Sequence, residues 1–125
     1  MEAAIKAARF YKYNELKDNG SASVQYPYPY KIISRYRAWH GASFGALSAG
    51  GDPRKWFAEP LTAPGFIQAP DAYPFRSPFG EDPEGEKAAD YLRYMLEMEG
   101  GGDFVAAIMI EPVVGSNGII PAPKK

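Results

Sequence analysis

"FVAAIMI", residues 104–110, is a continuous apolar run closed by Asp103 before it and by Glu111-Pro112 after it. A strand covered on both faces has this composition, and such strands belong mainly to parallel sheets overlaid by helices. Just upstream, "EGEKAADYLRYMLEME" (84–99) places Ala88, Leu92, Met95 and Leu96 at i, i+4, i+7 and i+8, the spacing of one helix face. Glu84 and Glu86 favour the N-terminal end of that helix through its dipole, and Gly100-Gly101-Gly102 stops it. Further upstream, "KIISRY" (31–36) is a second candidate strand. The order of strand, loop and helix, strand predicts the α/β class, with helices packed on a mostly parallel sheet.

The remaining segments are consistent with that outline. Residues 2–17, "EAAIKAARFYKYNELK", are rich in alanine and unbranched side chains, which lose little entropy in a helix. Ala4, Ala8 and Tyr11 form its expected apolar stripe. Asp18-Asn19-Gly20 is a stop, with Gly20 suited to a left-handed cap. Residues 20–30 read as a polar linker interrupted by prolines. Residues 42–49 are compatible with a short helix ended by Gly50-Gly51. Prolines 60, 64, 70, 74, 78 and 83 make residues 56–85 mostly extended loop, with one short strand inside "GFIQAP" (65–70). No internal repeat is visible.

At 125 residues, the chain is long enough for one ordinary domain with a core. Its 46% hydrophobic and 23% charged content are those of a globular protein. Net charge is −1 with the two signs interspersed, so the basic patch that nucleic acid requires is missing. No apolar run reaches the length of a membrane span, and the N-terminus lacks a secretory signal; a cytoplasmic location is the default expectation. The absence of cysteine excludes disulfides, thiolate zinc sites and cysteine nucleophiles, and one histidine excludes a multi-histidine metal site. The acids also lack EF-hand spacing. No metal site is assigned, and of the metal classes only a carboxylate-only Mg²⁺ or Ca²⁺ site stays open.

Three places could carry chemistry. Arg37-Ala38-Trp39-His40-Gly41 follows a predicted strand, and open α/β sheets bind ligands outside the carboxyl ends of their strands. An indole there offers a flat surface for a planar ring, although a core tryptophan beside a structural histidine would look the same. Glu111 ends the strongest strand, where it is either a site acid or a solvated strand end; Pro112 biases it to extended geometry. "VGSNG" (114–118) either brings backbone close to a ligand or is a plain turn between two strands. The lysines lie in polar surroundings, with none in the apolar context that lowers an amine pKa for Schiff-base chemistry. Ser34, Ser43 and Ser48 lack a nucleophile-elbow context, which disfavours a serine hydrolase built on His40.

Taken together, these segments resemble one family, the class III or ω-amino-acid aminotransferases, pyridoxal-phosphate enzymes of fold type I. "KIISRYRAWHGASFGALSAGGDPR" (31–54) is similar to that family's strand and cofactor loop, in which an aromatic–His–Gly triplet follows the strand. "VAAIMIEPVVGSNGIIPAP" (105–123) resembles its later Glu-Pro-Val segment. "EAAIKAARFY" (2–11) resembles the helix after its Gly-Ser/Thr-Glu-Ala phosphate loop, and "PGFIQAPDAYPFRSPFG" (64–80) its proline-rich connection. The resemblance implies that Trp39 stacks on the pyridine ring of pyridoxal 5′-phosphate. It implies that His40 and Gly41 complete the cofactor-binding triplet and that Glu111 lines the cofactor pocket near the reacting region. Ser116 falls on the substrate side, where ornithine- and aminobutyrate-type members carry a second glutamate. Its presence leans toward amine-, taurine- or β-alanine–pyruvate-type specificity.

The resemblance further implies transamination from an ω-amino acid or amine to a keto acid such as pyruvate, and a homodimer for the full-length form. It leaves this chain as an internal piece of the cofactor-binding large domain, spanning residues 1–125. The phosphate loop, the Asp that pairs with the pyridine nitrogen and the Schiff-base lysine have no counterparts in it, so no catalytic residue is assigned. The alternative is a non-catalytic, stand-alone binding module descended from the same domain.

Overall fold

Strand β1 (Lys31–Arg35) runs through the centre of a three-stranded parallel sheet, with β2 (Phe66–Ala69) on one side and β3 (Val105–Ile108) on the other. The computed structural model describes residues 1–20 and 29–123. Ile33 sits in register with Ile67 of β2 and Ile108 of β3. Its two β-branched neighbours suit the pleated, covered surface of a central strand, and Ile32 and Ile33 are both fully buried.

Alternate residues of β1 meet different layers, as the two-residue period of a strand requires. Ile33 joins Ala69 and Val105 in a core closed by Leu92, Met95 and Leu96 of helix α3 (Glu86–Met98). Ser34 points the other way, and its hydroxyl donates to the Ala49 carbonyl at the end of helix α2 (Phe44–Ala49). Helices therefore cover both faces of β1. The expected α/β class, with helices on a parallel sheet, is what the structure has. Helix α3 starts where Asp82 accepts the N–H groups of Lys87 and Ala88, each at 3.0 Å, so this carboxylate satisfies two donors that a helix start leaves open.

Several expectations need correction. Helix α1 (Glu2–Asp18) forms as expected, and Gly20 after it is left-handed at φ 73°. Of the expected stripe, however, only Ala8 is half-buried, while Ala4 and Tyr11 are exposed. Ile5 is the helix's buried residue, Tyr11 is 71% exposed, and the half-buried positions are 2, 8, 9 and 12–16. Arg9 and Lys12 lie along the packed face by their aliphatic stems; Arg9 Nε donates to the Tyr30 carbonyl at 2.8 Å. Strand β3 is not buried on both faces. It is an edge strand of this sheet, so Val105 is buried while Ile108 is 45% exposed; the doubly covered strand is β1. The proline-rich stretch is not simply extended, because Pro53–Leu61 and Pro74–Arg76 wind into 3-10 helices. Lys55 lies buried in the first of these, with Nζ 3.9 Å from Glu59, rather than in open polar surroundings. Most of the linker expected over 20–30 falls in 21–28, outside the described residues.

Beyond β3, strands β4 (Val113–Val114) and β5 (Ile120–Pro121) pair antiparallel. "VGSNG" is thus the turn of a small hairpin. That turn folds back onto the loop that follows β1.

Candidate functional site

Parallel strands end on the same side of a sheet, so the segments after β1, β2 and β3 converge. Met109 continues the β3 pairing by donating its N–H to the Ile33 carbonyl at 2.8 Å. Two residues on, Glu111 meets the β1 loop twice. The Arg35 guanidinium donates to its main-chain carbonyl. Its carboxylate Oε1 accepts the Trp39 N–H at 3.3 Å. These contacts draw Trp39, His40, Gly41 and Glu111 into one place.

Three polar atoms in this cluster are buried without a hydrogen-bond partner: Arg35 Nε, His40 Nε2 and Glu111 Oε2. A buried polar group left unpaired costs free energy, and each such group calls for an account, among them a role in binding or catalysis. Burial holds the His40 pKa below its ordinary value; the Glu111 carboxylate opposes this and Arg35 adds to it. The imidazole is accordingly neutral at pH 7, able to donate or accept. Gly41 adopts φ 128°, and a Cβ there would lie 3.2 Å from the Ala46 Cβ, so the turn into α2 requires glycine.

A second group surrounds the Trp39 ring. The Arg54 guanidinium carbon lies 3.9 Å from the indole centroid. Arg54 also forks onto Asp52, with Nε to Oδ1 at 2.7 Å and Nη2 to Oδ2 at 2.7 Å. Its Nη2 donates to Ser116 Oγ at 2.8 Å. Asn117 donates its amide to the Arg37 carbonyl at 2.7 Å and to the Asp52 carboxylate. Hydrogen bonds from Arg54 in particular hold the Asp52 carboxyl far below the usual carboxylate range. The hairpin turn is therefore latched to the β1 loop, and Ser116 reaches the cluster through Arg54 rather than by touching Glu111.

A third group follows β2. Asp71 is buried and pairs with Arg37 Nε at 3.1 Å, while its Oδ1 has no partner. Burial pushes its carboxyl up, against the pull of Arg35 and Arg37.

Glu2 anchors the start of α2 from a distance. Its Oε1 accepts from the Ser43 hydroxyl at 2.7 Å and from the N–H groups of Gly45 and Ala46 at 2.7 and 3.0 Å. Those bonds, Ser43's first, lower its pKa. Glu2, Asp52, Arg54 and Asp71 lie outside the three places singled out in the sequence, whereas Asn117 falls within the third of them, "VGSNG". Only Asp52 carried a local signal, an Asp-Pro pair able to cap a helix start. Among the described residues, no group of three or more His, Cys, Asp or Glu is placed to hold a metal ion, and no helix is long and apolar enough to cross a membrane.

Comparison with known proteins matches this geometry to a family. The family model for class III aminotransferases matches residues 1–125. A probable aminotransferase of Mycobacterium tuberculosis is 43% identical over 126 residues, covering 98% of this chain and 25% of that protein. A hypotaurine/taurine–pyruvate aminotransferase of Paracoccus denitrificans is 32% identical over 95 residues, covering 76% of this chain and 20% of that protein. The pyridoxamine-phosphate-bound form of a Vibrio fluvialis aminotransferase superposes with a TM-score of 0.76 at 28% identity, covering 98% of this chain and 25% of that one. The chain spans about a quarter of the length of the curated relatives it matches. Matched along its whole length by the family model, and folded like a solved member, this chain belongs to the class III aminotransferases, a pyridoxal-phosphate-dependent family.

Proposed function

We propose that residues 1–125 form one wall of the pyridoxal-phosphate pocket of a transaminase that moves an amino group from an ω-amino acid or amine to a keto acid such as pyruvate. In this reading the residues belong to the cofactor-binding large domain, and the full-length enzyme works as a homodimer. One observation carries the proposal: a half-buried indole flanked by two buried polar atoms with no partner, His40 Nε2 and Glu111 Oε2, at the carboxyl ends of adjacent parallel strands. A flat apolar face beside a neutral imidazole nitrogen and a carboxylate oxygen suits a planar heteroaromatic ring with polar edges.

When bound, the cofactor supplies an electron sink for the carbon that exchanges its amino group. The chain's own residues bind and orient. Trp39 fixes the plane of the ring. Gly41 keeps the turn tight, so that no side chain intrudes. His40, uncharged at neutral pH, hydrogen-bonds without adding a positive charge. Glu111 holds the Trp39 backbone through one carboxylate oxygen and keeps the other for the pocket. Ser116, smaller and uncharged where a second glutamate could stand, leaves the substrate side free of an added negative charge. That supports amine-, taurine- or β-alanine-type donors, as does the taurine specificity of the Paracoccus relative.

Binding of pyridoxamine 5′-phosphate tests this, since that ligand needs no lysine. The chain has two tryptophans, so Trp56→Phe leaves Trp39 as the sole indole reporter. We expect saturable quenching of Trp39 emission. Equal affinity in Trp39→Leu, followed by equilibrium dialysis, would overturn the proposal.

A further inference from the structure

The Trp39 indole is not held by apolar packing alone. On one side it carries the Arg54 guanidinium, whose central carbon is 3.9 Å from the ring centroid. That is stacking distance, well inside the range of a cation–π contact. The guanidinium has little freedom to leave. Its Nε and Nη2 grip both oxygens of Asp52, each at 2.7 Å, and the Arg54 N–H donates to the same carboxylate at 2.8 Å. Asp52 is itself only 2% exposed and takes a further hydrogen bond from Asn117. A planar fork bound on both prongs keeps a fixed orientation. Nη2 also reaches Ser116 Oγ at 2.8 Å, so the hairpin turn joins the clamp.

This chain of contacts ends at the ring and gives Asp52 a task beyond opening a 3-10 helix. We propose that Arg54 is a positioning residue for the ring-binding site: the Asp52–Arg54 ion pair backs one face of the Trp39 indole and so presents the opposite face, immobilised, to a planar ligand. The inference rests on the reading of Trp39 as a ring platform and adds what holds that platform still. Because Arg54 arrives already neutralised by Asp52, the backing is close to charge-neutral and does not set a bare cation beside the bound ring. An immobilised platform binds more tightly, since less side-chain entropy is lost on stacking.

The experiment uses the chain with Trp56→Phe, in which Trp39 is the single indole. Time-resolved fluorescence anisotropy without ligand reads ring mobility directly, and pyridoxamine 5′-phosphate titration reads binding. Arg54→Met keeps length and removes the fork. We expect it to free fast ring motion and to weaken pyridoxamine 5′-phosphate binding about fivefold, the scale of one cation–π contact. Arg54→Lys, which keeps the charge, should recover part of the immobility and part of the affinity. Asp52→Asn, which keeps the cap but loosens the fork, should fall between. Should Arg54→Met fail to give a native circular dichroism spectrum, Arg54→Lys and Asp52→Asn decide the matter by the same two readouts. A ring as immobile in the Met variant as in the parent overturns the inference, as does a freed ring with unchanged affinity; either result leaves the pocket itself standing. Unchanged affinity in Trp39→Leu overturns the pocket reading instead, and a ring freed by Arg54→Met would then still support the clamp.

Discussion

The N–H of Trp39 donates to Glu111 Oε1 at 3.3 Å, joining the ends of two parallel strands across 72 residues of sequence. The same carboxylate bears on His40, whose pKa burial holds down and Glu111 partly restores. His40 is the only histidine, so its imidazole C2 proton gives one resolved NMR resonance. We expect that resonance to titrate below about 6.5, the ordinary histidine value. In Glu111→Gln the opposing charge is gone, and the midpoint should move lower still. The sign for stability follows. The unfolded chain takes up this proton at higher pH than the folded one, so folding weakens as pH falls through about 6.5. His40→Asn should lose that limb. A midpoint at or above the ordinary value would contradict the burial on which the neutral imidazole depends.

Gly51 should be the least replaceable glycine. A Cβ there would fall on the Tyr36 Cα and the Arg35 carbonyl oxygen, both backbone atoms that side-chain rotation cannot clear. Gly51→Ala forces apart β1 and the segment after α2, at a cost of about 3 kcal/mol. Gly80→Ala meets no neighbouring atom within 4 Å but keeps a strained φ of 79°, costing about 1 kcal/mol. Gly115→Ala has open space and no such strain, and should stay within about 0.5 kcal/mol of the parent. Urea denaturation of the three variants gives the order, and a tolerant Gly51→Ala would mean that the β1 loop lies farther from α2 than described.

The legibility of this chain follows from which contacts are local. Helix α3 could be read because Ala88, Leu92, Met95 and Leu96 repeat with the helix period and do face the core. Helix α1 could be read as a helix but not oriented, because its packed face is built from Ile5 together with the stems of Arg9 and Lys12. The covered strand was assigned to the longest apolar run, 104–110, yet coverage depends on place in the sheet, and β1 with its Ser34 holds the centre. Trp39, His40 and Glu111 were findable because each follows a strand, and parallel strands deliver their ends to one side. The Asp52–Arg54 pair was not, since no spacing ties it to "VGSNG", whose Ser116 and Asn117 it meets across more than 60 positions. Glu2 reaches Ser43 across 41 positions and gives no sequence signal at all.

Asp52 and Asp71 should respond to acid in opposite senses. Arg54 holds the Asp52 carboxyl far below the usual range, so its contribution is complete above about 4 and is lost as pH falls below that. The stability gap between parent and Asp52→Asn should thus narrow on acidification. Burial raises the Asp71 carboxyl, so the folded state prefers its protonated form. For Asp71→Asn, stability relative to the parent should rise as pH increases from about 4. Melting temperatures of the parent and both variants between acid and neutral pH check this. Parallel slopes for the two variants would show that the arginines do not divide between these acids as the geometry requires.

No described lysine is hydrogen-bonded into the Trp39–Glu111 cluster. Lys12 pairs with Glu15, Lys31 with Glu99 and Lys55 with Glu59, and Lys87 donates to the Phe79 carbonyl. These contacts engage the amines away from the cluster, so none of them is positioned there as a nucleophile. Borohydride reduction of the chain with pyridoxal 5′-phosphate, followed by peptide mass spectrometry, should therefore give only scattered, substoichiometric labelling. Lys55 is the discriminating position, because it alone of these is buried. One stoichiometric adduct there, lost in Lys55→Arg, would show that this chain carries its own covalent anchor and would place that anchor on the 3-10 helix that begins beside Asp52. Labelling that stays diffuse, with Trp39 still quenched by pyridoxamine 5′-phosphate, is the result expected of a pocket wall that binds the ring and leaves covalent attachment to a lysine outside these residues.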